Sequence, residues 1–450
     1  MASSGPFLSK ERSVIVTKTR PTRLLYPRLL FFFAFLSLCS STTFSQVVGI
    51  DMLGKKQKVT VPFEYEQGFI IVKLWLQGVI PLRMILDTGA QNTILFDKEI
   101  AEILGIKFER KISIIGSDLD SVLEASISRR VMTELTGCHP VRRDLIVLED
   151  NDLLLDVKLG TEVNGIIGGG YFPNLVMEID YKKKRVIFTH PNSFTPPKIS
   201  SRNKSKNSIH NRYHKYPLNV KNQKPYIKAE VSVSRDHRSI LNLLLDTGAS
   251  LPFLVHANTD TTIQLPDKMM IGKVGYGLTG EILGFRGKSN HLTMGDIAFN
   301  NIVTSFQDLE DEQLINVERN GIIGNILLER FKVILDYTRQ DLYLKPVKKF
   351  DREFAFDKSG MTTLAVGPDL DQFYIVSVIK GAPADKAGIL PGDLIVKING
   401  KKSKRLTLDK LNKILSRKPG KQVRITLKRG DQEIKKKFEL EEWFIDTSKL

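Results

Sequence analysis

The 450-residue chain has only two cysteines, two tryptophans and seven histidines. If the N-terminal segment is removed as described below, Cys138 is the only thiol left. No internal disulfide can then form, and stability must come from packing. The histidines lack metal-ligand spacing, so no metal and no cofactor are expected, and His139, His237 and His291 read as surface or loop residues. Cys138 reads as a small buried hydrophobe. The sequence "GFRGKS" at 284–289 falls short of a phosphate-cradling loop, because Ile282 stands where the first glycine belongs.

One apolar run, "LLFFFAFLSL" at 29–38, is too short to cross a bilayer. It follows Lys10, Arg12, Lys18, Arg20, Arg23 and Arg28 and precedes the small residues Thr43 and Ser45, which is the order of a secretory signal cut before Gln46. Residues 1–45 are therefore expected to be a signal peptide on an exported protein, with membrane contact only if the segment stays uncleaved. A lipid-modified Cys39 is disfavoured by Leu38. Six cations and Glu11 leave with the signal, taking the formal charge from +17 to +12. The densest basic stretch, 198–215, is rich in Ser and Asn without apolar periodicity, so it reads as a solvated linker and no nucleic-acid partner is expected.

The sequence contains an internal duplication. "LRMILDTGA", a central glycine, "GIIG" and "EIDY" in the first half return as "LNLLLDTGA", a glycine, "GIIG" and "ILDY", at offsets of 159, 158, 156 and 156 residues. Residues 62–190 and 225–348 are thus two copies of one unit joined by a basic polar linker, 191–224. Short strand patterns such as "FIIVKLWL" and "YIKAEVSV" make each copy mostly β. From 352 to 442 a small α+β region follows.

In "LLLDTGA" an apolar strand delivers a carboxylate to the mouth of a core. Desolvation raises such a carboxyl, and a second carboxylate alongside raises one of the pair further. Asp87 and Asp246 are therefore expected to form one proton-sharing dyad across a pseudo-two-fold axis. The ionised member would take a proton from water while the protonated one donates to a carbonyl oxygen. Gly89 and Gly248 would let backbone amides approach the carboxylates, and Thr88 and Thr247 would bond across the interface. The isoleucines of both GIIG motifs would pack beneath the Asp loops.

The paired "DTGA" motifs, each with "GIIG" about 75 residues on, resemble the retropepsin-type and pepsin-type aspartic proteases. That resemblance implies two acid-protease β-barrel lobes in an intramolecular pseudo-dimer, an exported aspartic endopeptidase acting on polypeptides, and a monomer. It also implies flaps over the cleft, for which "GKVGYGLTGEILGF" at 272–285, with Tyr276 as substrate contact, and "RKISIIGSDLD" at 110–120 are the candidates. The segment "GAPADKAGILPGDLIVKING" resembles a PDZ domain, implying a groove for C-terminal peptides with Ser359, Gly360 and Met361 as its carboxylate loop. The combination resembles an exported bacterial peptidase family of the Bacteroidota type, placing the chain in the periplasm or at the cell surface. The alternative is a non-catalytic peptide-binding scaffold with an intact dyad.

Overall fold

Alternating burial along short β-rich segments, as in Lys58–Pro62 where Val59 and Val61 are buried between exposed neighbours, builds a mostly β protein. The computed structural model describes residues 50–450 apart from 116–121, 151–154, 200–211, 235–236, 278–279, 310–313, 315–317, 443–444 and 447–450. The expected signal segment and the middle of the expected linker lie outside the described residues.

The first copy forms an eight-stranded sheet in the order Glu64–Glu66, Phe69–Leu76, Ile80–Asp87, Gly165–Gly168, Ile94–Leu95, Val141–Leu148, Val122–Leu135 and Arg110–Ile115. Phe69–Leu76 also pairs with Val122–Leu135, so the sheet curls onto itself. The second copy repeats the pattern. Ser239–Asp246 runs parallel to Gly321–Gly324, as Ile80–Asp87 does to Gly165–Gly168, and Lys224–Ser232 closes onto Gly280–Met294. The two copies meet in a shared six-stranded sheet, where Val176–Asp180 pairs antiparallel with Phe331–Asp336.

One apolar core runs through both copies and the shared sheet. The GIIG isoleucines divide between cores because successive strand residues face opposite sides. Ile167 and Ile323 enter the common core, whereas Ile166 and Ile322 pack in separate clusters, one in each copy. The segment "DKEIAEILGI" at 97–106 contains the helix Lys98–Ile103, with Asp97 accepting from the Glu99 amide at 2.9 Å.

The linker reading needs correcting at its C-terminal end. His214–Pro217 is an edge strand of the shared sheet, and Asn219–Lys221 begins the second copy's sheet. The composition shows solvation but not long-range pairing. His214 is buried and its ring contacts Asp296 at 2.7 Å, so this segment is anchored.

The C-terminal region has its own core around Phe373, Ile395, Leu411 and Leu427. Its sheet runs Met361–Val366, Gln372–Val378, Leu394–Ile398, Gln422–Arg429, Gln432–Glu439. The helix Leu408–Leu415 starts at Thr407, whose hydroxyl accepts from the Lys410 amide, and buries Leu408, Leu411, Ile414 and Leu415.

The connection into this region is fastened to the second copy. Arg330 is 2% exposed. It donates to the carbonyl of Phe350 at 2.7 Å and to those of Arg352 and Glu353, and its guanidinium carbon lies 3.3 Å from the Phe354 ring centre. Phe350, Phe354 and Phe356 belong to the common core. Beyond the domain, Ile445–Asp446 adds to the strand Lys268–Gly277. Arg330→Met removes the charge-assisted bonds and strands buried carbonyls. It should lower unfolding stability by about 3 kcal/mol, measured as a lower denaturant midpoint at unchanged slope.

Candidate functional site

The two parallel strand pairs of the duplication deliver Asp87 and Asp246 to one point. Each Asp sits at the end of its strand, level with the last glycine of its GIIG partner: Asp87 with Gly168, Asp246 with Gly324. A Cβ at Gly168 would strike the Asn92 carbonyl, and one at Gly324 the Leu251 carbonyl, so only glycine fits beneath these loops.

The loops interlock through their threonines. The Thr88 hydroxyl donates to the Leu245 carbonyl at 2.7 Å, and the Thr247 hydroxyl to the Leu86 carbonyl at 2.6 Å. Each hydroxyl also accepts from the other threonine's amide, at 3.0 and 3.1 Å. Both side chains are 1% exposed, so these bonds are shielded from water. A Cβ on Gly89 would strike the Asp246 carboxyl, and one on Gly248 the Asp87 carboxyl. The expected support residues are therefore brought together, and the glycines act crosswise, each making room for the other loop's carboxylate.

Asp87 accepts from the amides of Gly89 and Ala90 at 2.7 and 2.9 Å, and Asp246 from the amide of Gly248 at 2.7 Å. The two carboxyls lie close enough for each to influence the other's titration. Burial raises both carboxyls, and the Asp246 charge raises Asp87 further. Arg319 and Lys224 act on Asp246 in the opposite sense and favour its ionised form. The pair can therefore donate one proton and accept another at a single point, which is the equipment for general acid and base chemistry.

Arg319, Lys224 and His256 were not anticipated from sequence. His256 is 1% exposed, and desolvation with the nearby Arg319 charge pushes its imidazole down to about 3. As a neutral ring it accepts from Arg319 Nε at 3.3 Å. The signal available was an asymmetry between the copies. Asn164 and Asn320 hold matching positions, each side chain accepting a strand amide, but Val163 precedes the first and Arg319 the second.

Both flap candidates lie on hairpins at equivalent places. Arg110–Ile115 pairs with Val122–Leu135, and Lys268–Gly277 pairs with Gly280–Met294, with Tyr276 opposite Glu281. Residues 116–120 of the first candidate and the Tyr276 side chain lie outside what is described.

The proposed carboxylate loop requires correction. Ser359, Gly360 and Met361 are buried, and their amides are already taken. Asp357 accepts from Ser359 and Gly360 at 3.0 and 2.7 Å, and the Ser359 hydroxyl accepts from Met361 at 3.2 Å. The acceptor in the loop belongs to the chain itself. Sequence distance alone could not reveal that an aspartate two residues upstream folds back onto these amides.

The PDZ domain family matches residues 374–429. The chain carries a PDZ domain. Two curated relatives are "Carboxy-terminal processing protease CtpA" of Bacillus subtilis (strain 168), 30% identical over 125 residues, and "Probable CtpA-like serine protease" of Staphylococcus aureus (strain bovine RF122 / ET3-1), 43% identical over 63 residues. The matches cover 28% and 14% of this chain, and they span 25% and 13% of those relatives. These names correct the expected catalytic class. One relative is named a processing protease and the other a probable serine protease, and the assignments of aspartic endopeptidase and retropepsin-like aspartyl protease are not carried forward.

The raised carboxyls have a consequence for stability. An acid whose folded-state pKa exceeds its unfolded value near 3.8 binds more protons when folded, so stability falls as pH rises through that window. Asp87→Asn should therefore unfold at higher denaturant than wild type at pH 7, with the difference shrinking below pH ~4, where both proteins carry a neutral group. By contrast, Thr88→Val should cost about 2 kcal/mol at every pH, because it leaves a buried carbonyl and amide unpaired.

Proposed function

We propose that this chain is a protease acting on polypeptides, with its PDZ domain as the receptor for polypeptide ends and with Asp87 and Asp246 as a proton-sharing pair in its functional site. The observation behind the site is the pair itself: two half-buried carboxyls, each set against the other loop's glycine and held by interlocked Thr88 and Thr247. Burying two acids side by side works against folding, and a site that uses their shared proton gives that arrangement a purpose. The PDZ match and the relatives' names support polypeptides as the substrate class.

On this reading the two copies, 62–190 and 225–348, are lobes that each supply one carboxylate, so a single copy lacks the site. Thr88, Gly89, Thr247 and Gly248 position the carboxylates. Arg319 and Lys224 lean on Asp246 and so set which member is ionised. The hairpin Lys268–Gly277 with Gly280–Met294, which carries Tyr276, is the candidate flap on this reading. The chain works outside the cytoplasm, exported through 1–45, as a monomer.

The test is cleavage of a mixed peptide library by wild type, Asp87→Asn and Asp246→Asn, with folding checked by circular dichroism. Each variant should lose at least about a hundredfold in turnover. Labelling with a serine-directed fluorophosphonate is run on the same samples. If both Asn variants cleave normally and labelling abolishes cleavage, the site lies elsewhere.

A further inference from the structure

A PDZ groove takes its ligand as a strand added beside an edge strand, under a helix, with the terminal carboxylate on loop amides. Here the edge strand is Met361–Val366, the helix is Leu408–Leu415 and the amides are those of Ser359, Gly360 and Met361. Both halves of that receptor are occupied by the chain's own residues. Asp357 places a carboxylate on the amides of Ser359 and Gly360, its second oxygen accepts from the Ser359 hydroxyl at 2.7 Å, and it interacts electrostatically with Arg286 of the second copy.

The first copy covers the flank. Its short helix Leu155–Leu159 packs along Met361–Val366. Gly160, at φ +64°, comes so close that an added Cβ would lie 2.6 Å from Leu408 Cβ and 3.3 Å from Ala365 Cβ. Leu155 and Leu159 are buried in the first copy's own core, so this helix is braced from behind. One turn further along the groove helix, Asn412 donates to the Gln67 side chain at 3.3 Å. Gln67 lies on a hairpin whose next residue, Gly68, accepts from Asn325 of the second copy at 2.6 Å.

We propose that the PDZ domain is held closed by its own chain, with Asp357 standing in for a ligand carboxylate and Leu155–Gly160 lying over the groove. A polypeptide with a free apolar C-terminus gains the groove only by displacing Leu155–Gly160 from Ala365 and Leu408 and Asp357 from the amides of Ser359 and Gly360. The domain is then a gated receptor, and the part of its ligand that matters is an aliphatic end with a free carboxylate. This extends the receptor role proposed above, and binding alone tests it, so loss of cleavage activity has no bearing on the outcome.

The probe is a fluorescein-labelled decapeptide ending in three aliphatic residues with a free carboxylate, compared with its C-terminal amide by anisotropy on the full chain. Wild type should bind it weakly. Gly160→Ala adds a methyl group against Leu408 in a left-handed backbone, so it should loosen the cover and tighten binding on the order of tenfold, as the open fraction rises. A second pair of states guards against misfolding. Gly160→Cys with Ala365→Cys places two Cβ atoms close to disulfide range, so the oxidised protein should bind no better than wild type and the reduced protein at least as well as Gly160→Ala. Equal binding by the oxidised and reduced forms would overturn the gate. Failure of every folded form to prefer the free carboxylate over the amide would overturn it too, because the groove would then not be a receptor for such ends.

Discussion

Four hydrogen bonds between Thr88 and Thr247 and the strands that carry them are the constraint on which the rest depends. Each threonine hydroxyl reaches a carbonyl at the end of the other copy's Asp strand and receives an amide from the other copy's loop. In water such bonds would be exchanged for others at little gain, but at 1% exposure an unmade one costs its full desolvation. The two copies must therefore meet in one register, and that register puts Asp87 beside Asp246. The shared sheet repeats the constraint on a larger scale through Val176–Asp180 and Phe331–Asp336. Two carboxyls this close would separate if their loops could move apart, and the threonines prevent it.

The symmetry is broken by charge. Only the second copy sets Arg319, Lys224 and a neutral His256 near its Asp, whereas the first has Val163 where Arg319 stands. Two acids in matched surroundings would share a proton evenly. Arg319 and Lys224 interact with both carboxyls and favour the ionised form of Asp246, so the two members sit in unlike surroundings.

The PDZ domain is no appendage on a string. Arg330 fixes its connection, Phe354 and Phe356 enter the common core, Ile445–Asp446 joins the second copy's sheet, and Leu155–Gly160 lies against its groove. Burial on this scale makes the domain part of the same folded body. Access to its groove therefore becomes a matter of local opening rather than of tether length.

From the sequence alone came the mostly β character, the duplication with its near-constant offset, the pairing of Asp87 with Asp246, and the C-terminal PDZ domain. These are local or periodic properties: a strand alternates every second residue, and a copied unit repeats its landmarks wherever it folds. Tertiary structure decided which partners meet across long sequence separations. It placed His214–Pro217 in the shared sheet, split the GIIG isoleucines between cores, brought Arg319 to the carboxylates, and laid Asp357 on amides expected to stay free. The catalytic class lay beyond both, and there the relatives' names corrected what the motif implied. A hydrogen bond is chosen by what stands nearest in space once the core has closed, and no pattern along the chain carries that information before the chain has folded.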